Sequence, residues 1–175
     1  METRTVAEAL DRMQSVLQRR PQAGLHADST ASARWAGGTR FVTRHPNGFE
    51  MPTEMPAEMG GADGRVTPGW LFRAGLAACA GTCIALLAAR EGIELTRLEC
   101  EANSRSDARG LLGMREADGR AVGAGPLEVE LAVRIAARAV SAERLRALVE
   151  QACDRSWVSC VARDATPVAL RIDVG

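Results

Sequence analysis

Residues 68–92, PGWLFRAGLAACAGTCIALLAAREG, decide the fold. They read as one long helix of small and apolar residues. Its apolar character runs nearly all the way round, so a single sheet cannot cover it. The run from Trp70 to Ala89 has the length of a membrane span, but Arg73 interrupts it and most of the rest is alanine and glycine, too weakly apolar for insertion. A buried helix is expected, with a second copy of the chain covering what one sheet leaves bare. Cys79 and Cys83 stand one helical turn apart on one face of it. Alanine would pack as well at either place, so the sulfurs are filler, a metal clip, a disulfide or a reactive centre.

Working outward, Val6, Leu10, Met13 and Leu17 recur at helical spacing and predict a first helix over 4–19. Residues 21–30 are polar and read as a linker, so the N-terminal helix and linker occupy 1–28 and the main domain 29–175. Two short strands are expected over 30–36 and 40–45, with the glycine pair of WAGGTR as their turn. Pro52 and Pro56 in FEMPTEMPAEMGGADG exclude a helix or central strand and leave an edge strand followed by a mobile loop.

Beyond the long helix, ELTRLECEANSRS alternates, with Thr96, Leu98, Cys100 and Ala102 facing one way and Arg97, Glu99, Glu101 and Asn103 the other. PLEVELAVRIAA repeats the pattern with Leu127, Val129, Leu131, Val133 and Ile135, and PVALRIDV with Val168, Leu170, Ile172 and Val174. Such alternation predicts an antiparallel sheet covered on one side. Between the last two strands, Ser141 is placed to cap a helix whose stripe is Leu145, Leu148, Val149 and Ala152. The fold class is α+β, with antiparallel sheets, a buried central helix and a second helix.

Composition narrows the function. The 175 residues carry 22 basic and 22 acidic side chains, so no net field recruits nucleic acid or a membrane surface. All the basic residues are arginine, which excludes lysine-based catalysis. Five cysteines behind an amphipathic, charged N-terminus, with no signal peptide, point to a reducing, cytoplasmic setting. An intact helix holds thiols four apart at about 6 Å between Cα atoms and aims them poorly, which disfavours a Cys79–Cys83 disulfide. No C-x-x-C pair exists and both histidines, His26 and His45, lie far up the chain, so no metal site is expected. Cys100 falls on the apolar face of its strand and reads as packing. Cys153 and Cys160 flank DRSWVS just past the last helix, where a loop can bring a thiol to the central helix.

TPGWLFRAGLAAC resembles the start of the central helix in the OsmC/Ohr family, the osmotically inducible and organic hydroperoxide resistance proteins, whose pattern there is close to P-E-x-L-(F/L)-x-A-(G/A)-x-A-A-C. SDARGLLGMREADGRAVGAGPLEVELAVRI resembles the family's strand, D-x-R-G-x-x-G turn and returning strand. ALVEQACDRSWVSCVARDATPVALRIDV resembles its last helix, second cysteine region and final strand. The resemblance spans about 29–174 and implies an intertwined homodimer working as a thiol peroxidase on organic hydroperoxides or hydrogen peroxide, in defence against oxidative stress and without a cofactor. It implies Cys79 as the peroxidatic thiol, an activating arginine (Arg40 first, Arg34 and Arg44 as alternatives), and a dithiol reductant, a lipoyl or thioredoxin-like protein. It places Trp70, Phe72, Cys83, Ser156 and Trp157 around the pocket.

Three positions depart from the family pattern. Gly69 stands where the family carries a glutamate after the proline; Ser156 stands at the second cysteine, and Trp157 at the proline that follows it. Resolution of the oxidised thiol would then fall to Cys153 or Cys160, or to Cys83 if the helix opens locally. The alternative is a degenerate member that binds an apolar small molecule without turnover.

Overall fold

The computed structural model describes residues 2–164 and 167–174. Met1, Ala165, Thr166 and Gly175 lie outside them, and with them the outermost ends of the segments expected at 1–28 and 29–175. Two compact units divide the chain: Met1–Ala7 with Gly75–Gly175, and Glu8–Ala74. The helix α1, Glu2–Arg19, and the helix α2, Pro68–Arg90, each cross that division.

In the Glu8–Ala74 unit, β1 (Ser32–Trp35), β2 (Phe41–Arg44) and β3 (Glu50–Thr53) form an antiparallel sheet in sequence order. Gly37 and Gly38, with φ of 98° and 57°, make the turn that the glycine pair predicts, and the Trp35 indole donates to the Gly38 carbonyl at 2.9 Å. Pro52 sits in β3, an edge strand, where its missing N–H costs no central ladder bond.

Sequence-local signals explain both ends of α2. Thr67 Oγ1 accepts from the Trp70 N–H at 3.1 Å, and Pro68 takes the first helical position, where its absent N–H has no intrahelical partner to lose. At the far end Gly92 adopts φ 64°, the Gly92 N–H reaches the Ala89 carbonyl at 3.1 Å and Ile93 reaches Ala88 at 2.9 Å, closing the last turn.

The other unit pairs β4 (Leu95–Ser106) with β5 (Pro126–Ala137), antiparallel. α2 and α4 (Ala142–Cys153) supply Ile84, Leu87, Ala88, Leu145, Leu148 and Ala152 to one core, against which Leu98, Cys100, Val133 and Ile135 pack from the sheet. The outer sheet face carries Arg97, Glu99, Glu101 and Arg134, paired with one another. The register shifts between Leu95 and Arg97, so Leu95 joins the core side and Thr96 is exposed, against the expectation for Thr96. On β5, Leu127 and Val129 extend past the core and are exposed. Between the strands, Asp107 caps the four-residue helix α3 (Ala108–Leu111) by accepting from the Arg109 N–H at 2.9 Å.

As expected of a helix that one sheet cannot cover, α2 within one chain buries Leu76, Ala80, Ile84, Leu87, Ala88 and Ala89 and leaves Trp70 and Phe72 exposed. Two expectations need correction. First, the segment past α4 is helical: a three-residue turn leads into α5, Trp157–Asp164. Second, residues 167–174 form no strand, and Val168, Leu170, Ile172 and Val174 are 75–91% exposed. Alternation specifies which face of a strand would be apolar; it supplies no edge to pair with.

Candidate functional site

The site forms where α2 passes the start of α5, and every residue of it described next lies in the Gly75–Gly175 unit. Leu76, Ala80 and Ile84 anchor α2 in the core and leave Cys79 and Cys83 half-buried beside them. Ala152, in the last turn of α4, is buried, and the chain then turns through Asp154 and Arg155 to a fully buried Ser156. The Ser156 hydroxyl donates to Cys79 Sγ at 3.2 Å. The same oxygen accepts from the Ser159 hydroxyl at 2.9 Å and the Ser159 N–H at 3.4 Å.

Burial raises the cost of ionising Cys79. The Ser156 hydroxyl, the backbone N–H groups of Val158 and Trp157 and the Cys83 thiol act against it and outweigh it, leaving the Cys79 pKa below that of an ordinary thiol. The two amides belong to the first turn of α5, whose N–H groups have no intrahelical acceptor and whose dipole favours negative charge.

The other thiols sit differently. Burial pushes Cys83 up, and the neighbouring Cys79 adds to it; its thiol points at the Arg155 carbonyl, 3.7 Å away. Cys100 is raised by burial and then by Cys153, and Cys153 by burial and then by Asp154. Gly81 explains how closely α2 approaches Cys100: a Cβ there would stand 3.3 Å from its sulfur. Cys160 lies in α5, donates to the Asp154 carbonyl at 3.4 Å, and has the Arg163 guanidinium 3.7 Å from its sulfur. All five cysteines are free, and among the described residues no three His, Cys, Asp or Glu side chains are grouped as metal ligands.

Of the residues singled out by sequence, the unit thus brings together Cys79, Cys83 and Ser156, with Trp157 exposed at the head of α5. Arg40, Arg34, Arg44, Gly69, Trp70 and Phe72 belong to the Glu8–Ala74 unit. There the Arg40 guanidinium lies over Gly37, 3.7 Å from where a Cβ would stand, and Arg44 pairs with Glu50 at 3.8 Å. Arg73 reaches back over Gly69, leaving ordinary contact room of 3.7 Å for a Cβ. Sequence reading missed Ser159 and the α5 amides. The available signal was Ser156-x-x-Ser159, a capping pattern hidden by the expectation of a loop.

The OsmC-like protein family profile matches residues 60–171. Among solved structures, an organic hydroperoxide resistance protein from Elizabethkingia anophelis superposes with a TM-score of 0.61 at 25% identity, covering 80% of this chain and 91% of its own. An organic hydroperoxide resistance protein OsmC from Legionella pneumophila gives 0.58 at 22% identity, over 79% of this chain and 91% of that one. An OsmC-like protein from Mycoplasma pneumoniae gives 0.64 at 15% identity, over 79% and 89%. No curated protein matches the chain by sequence.

Proposed function

The chain belongs to the OsmC-like protein family, and from that premise we propose that it is a cytoplasmic thiol-dependent hydroperoxide reductase with Cys79 as nucleophile. One observation carries the reading: Cys79 is the thiol that a buried hydroxyl and two helix-terminal amides favour as thiolate, whereas Cys83, Cys100 and Cys153 are pushed the other way. Structural neighbours named organic hydroperoxide resistance proteins, one at 25% identity, support the substrate class.

In the first step the Cys79 thiolate attacks one peroxide oxygen and the O–O bond breaks. The departing alkoxide takes a proton and leaves as alcohol, and sulfur retains the other oxygen as sulfenic acid. In the second, a thiol attacks that sulfur, forming a disulfide and releasing water. Cys153 or Cys160 is the resolving thiol within the chain, both following α2 in the same unit. A dithiol donor, a lipoyl or thioredoxin-like protein, then returns both sulfurs to thiols and is itself oxidised. Arg40 is the first arginine proposed to assist ionisation. No metal, flavin or haem takes part.

Proteins of this family are commonly homodimeric, and we extend that to this chain: the exposed Trp70, Phe72, Leu127 and Val129 are apolar surface that a second copy would cover. The second reading, binding of an apolar molecule without turnover, is favoured by a groove of about 300 Å³ lined by Val6, Thr82, Ala85, Leu86, Ile93 and Leu95; neither Cys79 nor Cys83 lines it.

The test is consumption of an alkyl hydroperoxide by the wild-type chain with a dithiol as electron donor, followed by peptide mapping after one equivalent of oxidant. Turnover with a Cys79–Cys153 or Cys79–Cys160 link supports the whole scheme. Turnover with Cys79 found only as an oxyacid or in an external mixed disulfide removes the internal resolver. Five thiols that stay free under excess hydroperoxide remove the enzyme.

A further inference from the structure

The hydroxyl of Ser156 has a fixed direction, and that direction has a use. A serine hydroxyl offers one proton and two lone pairs. At Ser156 both lone pairs meet donors from Ser159, its N–H at 3.4 Å and its hydroxyl at 2.9 Å. The side chain is fully buried, so no solvent competes for the proton. The acceptor in front of it is Cys79 Sγ at 3.2 Å. With both lone pairs engaged, the proton has one favourable target.

We propose that Ser156 is a positioning residue whose hydroxyl, oriented by Ser159, holds its proton on the Cys79 sulfur and keeps that sulfur presented for attack. The residue at 156 thus acts as a hydrogen-bond donor to the reactive sulfur instead of as its covalent partner. A neutral hydroxyl cannot form a disulfide, but it stabilises a thiolate by a charge-assisted hydrogen bond in a site sheltered from water. The α5 amides of Trp157 and Val158 work on the same sulfur from the same helix end, so the serine and the helix form one device. Ser159 contributes through Ser156 and is itself a positioning residue.

The proposal deepens the thiol-reductase reading and rests on Cys79 being its nucleophile, but its test requires no peroxide. The rate of Cys79 alkylation by iodoacetamide is measured against pH in the full chain, with fragment mass spectrometry separating Cys79 from Cys83. Ser156→Ala is expected to slow Cys79 about tenfold at pH 7, the loss of one charge-assisted hydrogen bond, and to converge with wild type at alkaline pH, where the thiolate forms without help. Ser159→Ala leaves the serine but frees its orientation, and a smaller slowing of the same shape is expected; this variant keeps the proposal testable if Ser156→Ala does not fold. Profiles for the folded variants that superimpose on wild type would overturn it. So would a slowing equal at every pH, which reports altered packing or access. Ser156→Cys adds a second reading of the 3.2 Å contact: hydroperoxide should join Cys79 to the new thiol, and its failure to do so in a folded protein counts against the contact. A shifted alkylation profile in a protein that consumes no hydroperoxide keeps the positioning role and removes the reductase; turnover with unshifted profiles does the reverse.

Discussion

Ser141 and Ser156 each stand immediately before a helix, and each accepts the N–H three residues on: Arg144 to Ser141 at 3.2 Å, Ser159 to Ser156 at 3.4 Å. Locally they do the same job, satisfying a donor that the first turn leaves open. Ser141 is exposed, so its proton goes to water and the residue is a cap. Ser156 is buried with Cys79 in front of it, so its proton goes to sulfur. One motif, placed in two environments, yields a structural fixture in one case and a hydrogen bond to the proposed nucleophile in the other.

The most severe way to break that contrast is to remove the sulfur. Cys79→Ser should bring dithiol-dependent hydroperoxide consumption to below about 1% of wild type, because a serine hydroxyl is a poor nucleophile without an activating base. Cys100→Ser, at a position that packs against Gly81 and β4's core neighbours, should leave most of the activity. Equal rates in the wild type and Cys79→Ser would end the comparison, since Ser156 would then face an inert group.

Next in size is the cap itself. Ser141→Ala should cost about 0.5–2 kcal/mol in urea unfolding and leave Cys79 alkylation unchanged. A variant that slows Cys79 as Ser156→Ala is expected to do would mean that general helix stability, and not a directed proton, governs the thiol.

A subtler effect is the dependence of stability on pH. Cys83, Cys100 and Cys153 are raised in the fold, so the stability they contribute is fully present below the unfolded thiol value and is lost as pH rises through their folded values. Cys79 is lowered, so its contribution is present above the unfolded value and is lost as pH falls through its folded one. Three thiols oppose one, and a thermal-melting series should decline as pH rises past about 9, the ordinary thiol value. Cys153→Ala should flatten that decline; Cys79→Ala should steepen it.

The smallest effect concerns Gly69. A Cβ fits there beside Arg73, and a carboxylate in the first turn of α2 meets both that guanidinium and the positive helix end. Gly69→Glu should therefore gain about 0.3–1 kcal/mol in the same unfolding assay. A loss would show that residue 69 needs glycine for a reason outside its immediate contacts.

Much of this molecule was written in local pattern. The long apolar run made α2, period-two alternation made β4 and β5 nearly to the residue, and Ser141 stood where it caps α4, because each depends on neighbours within a turn or a pleat. Cys79 stood out as a candidate through the residues that precede it on its helix, and its role remains the proposal made above. Thr96 was misplaced because a register shift belongs to the pairing of two strands and not to either alone. Residues 167–174 alternate as cleanly as β5 does, yet alternation records a preference for a face and cannot provide the neighbouring strand. Ser156 marks the same boundary most sharply. Its identity and its capping pattern are in the sequence, 77 positions from Cys79, but the destination of its proton depended on the packing that carried α5 against α2. Helices and strands follow from torsions and periodicity close along the chain; the reactivity of a thiol follows from which donors surround it in space, and only the tertiary structure decides that.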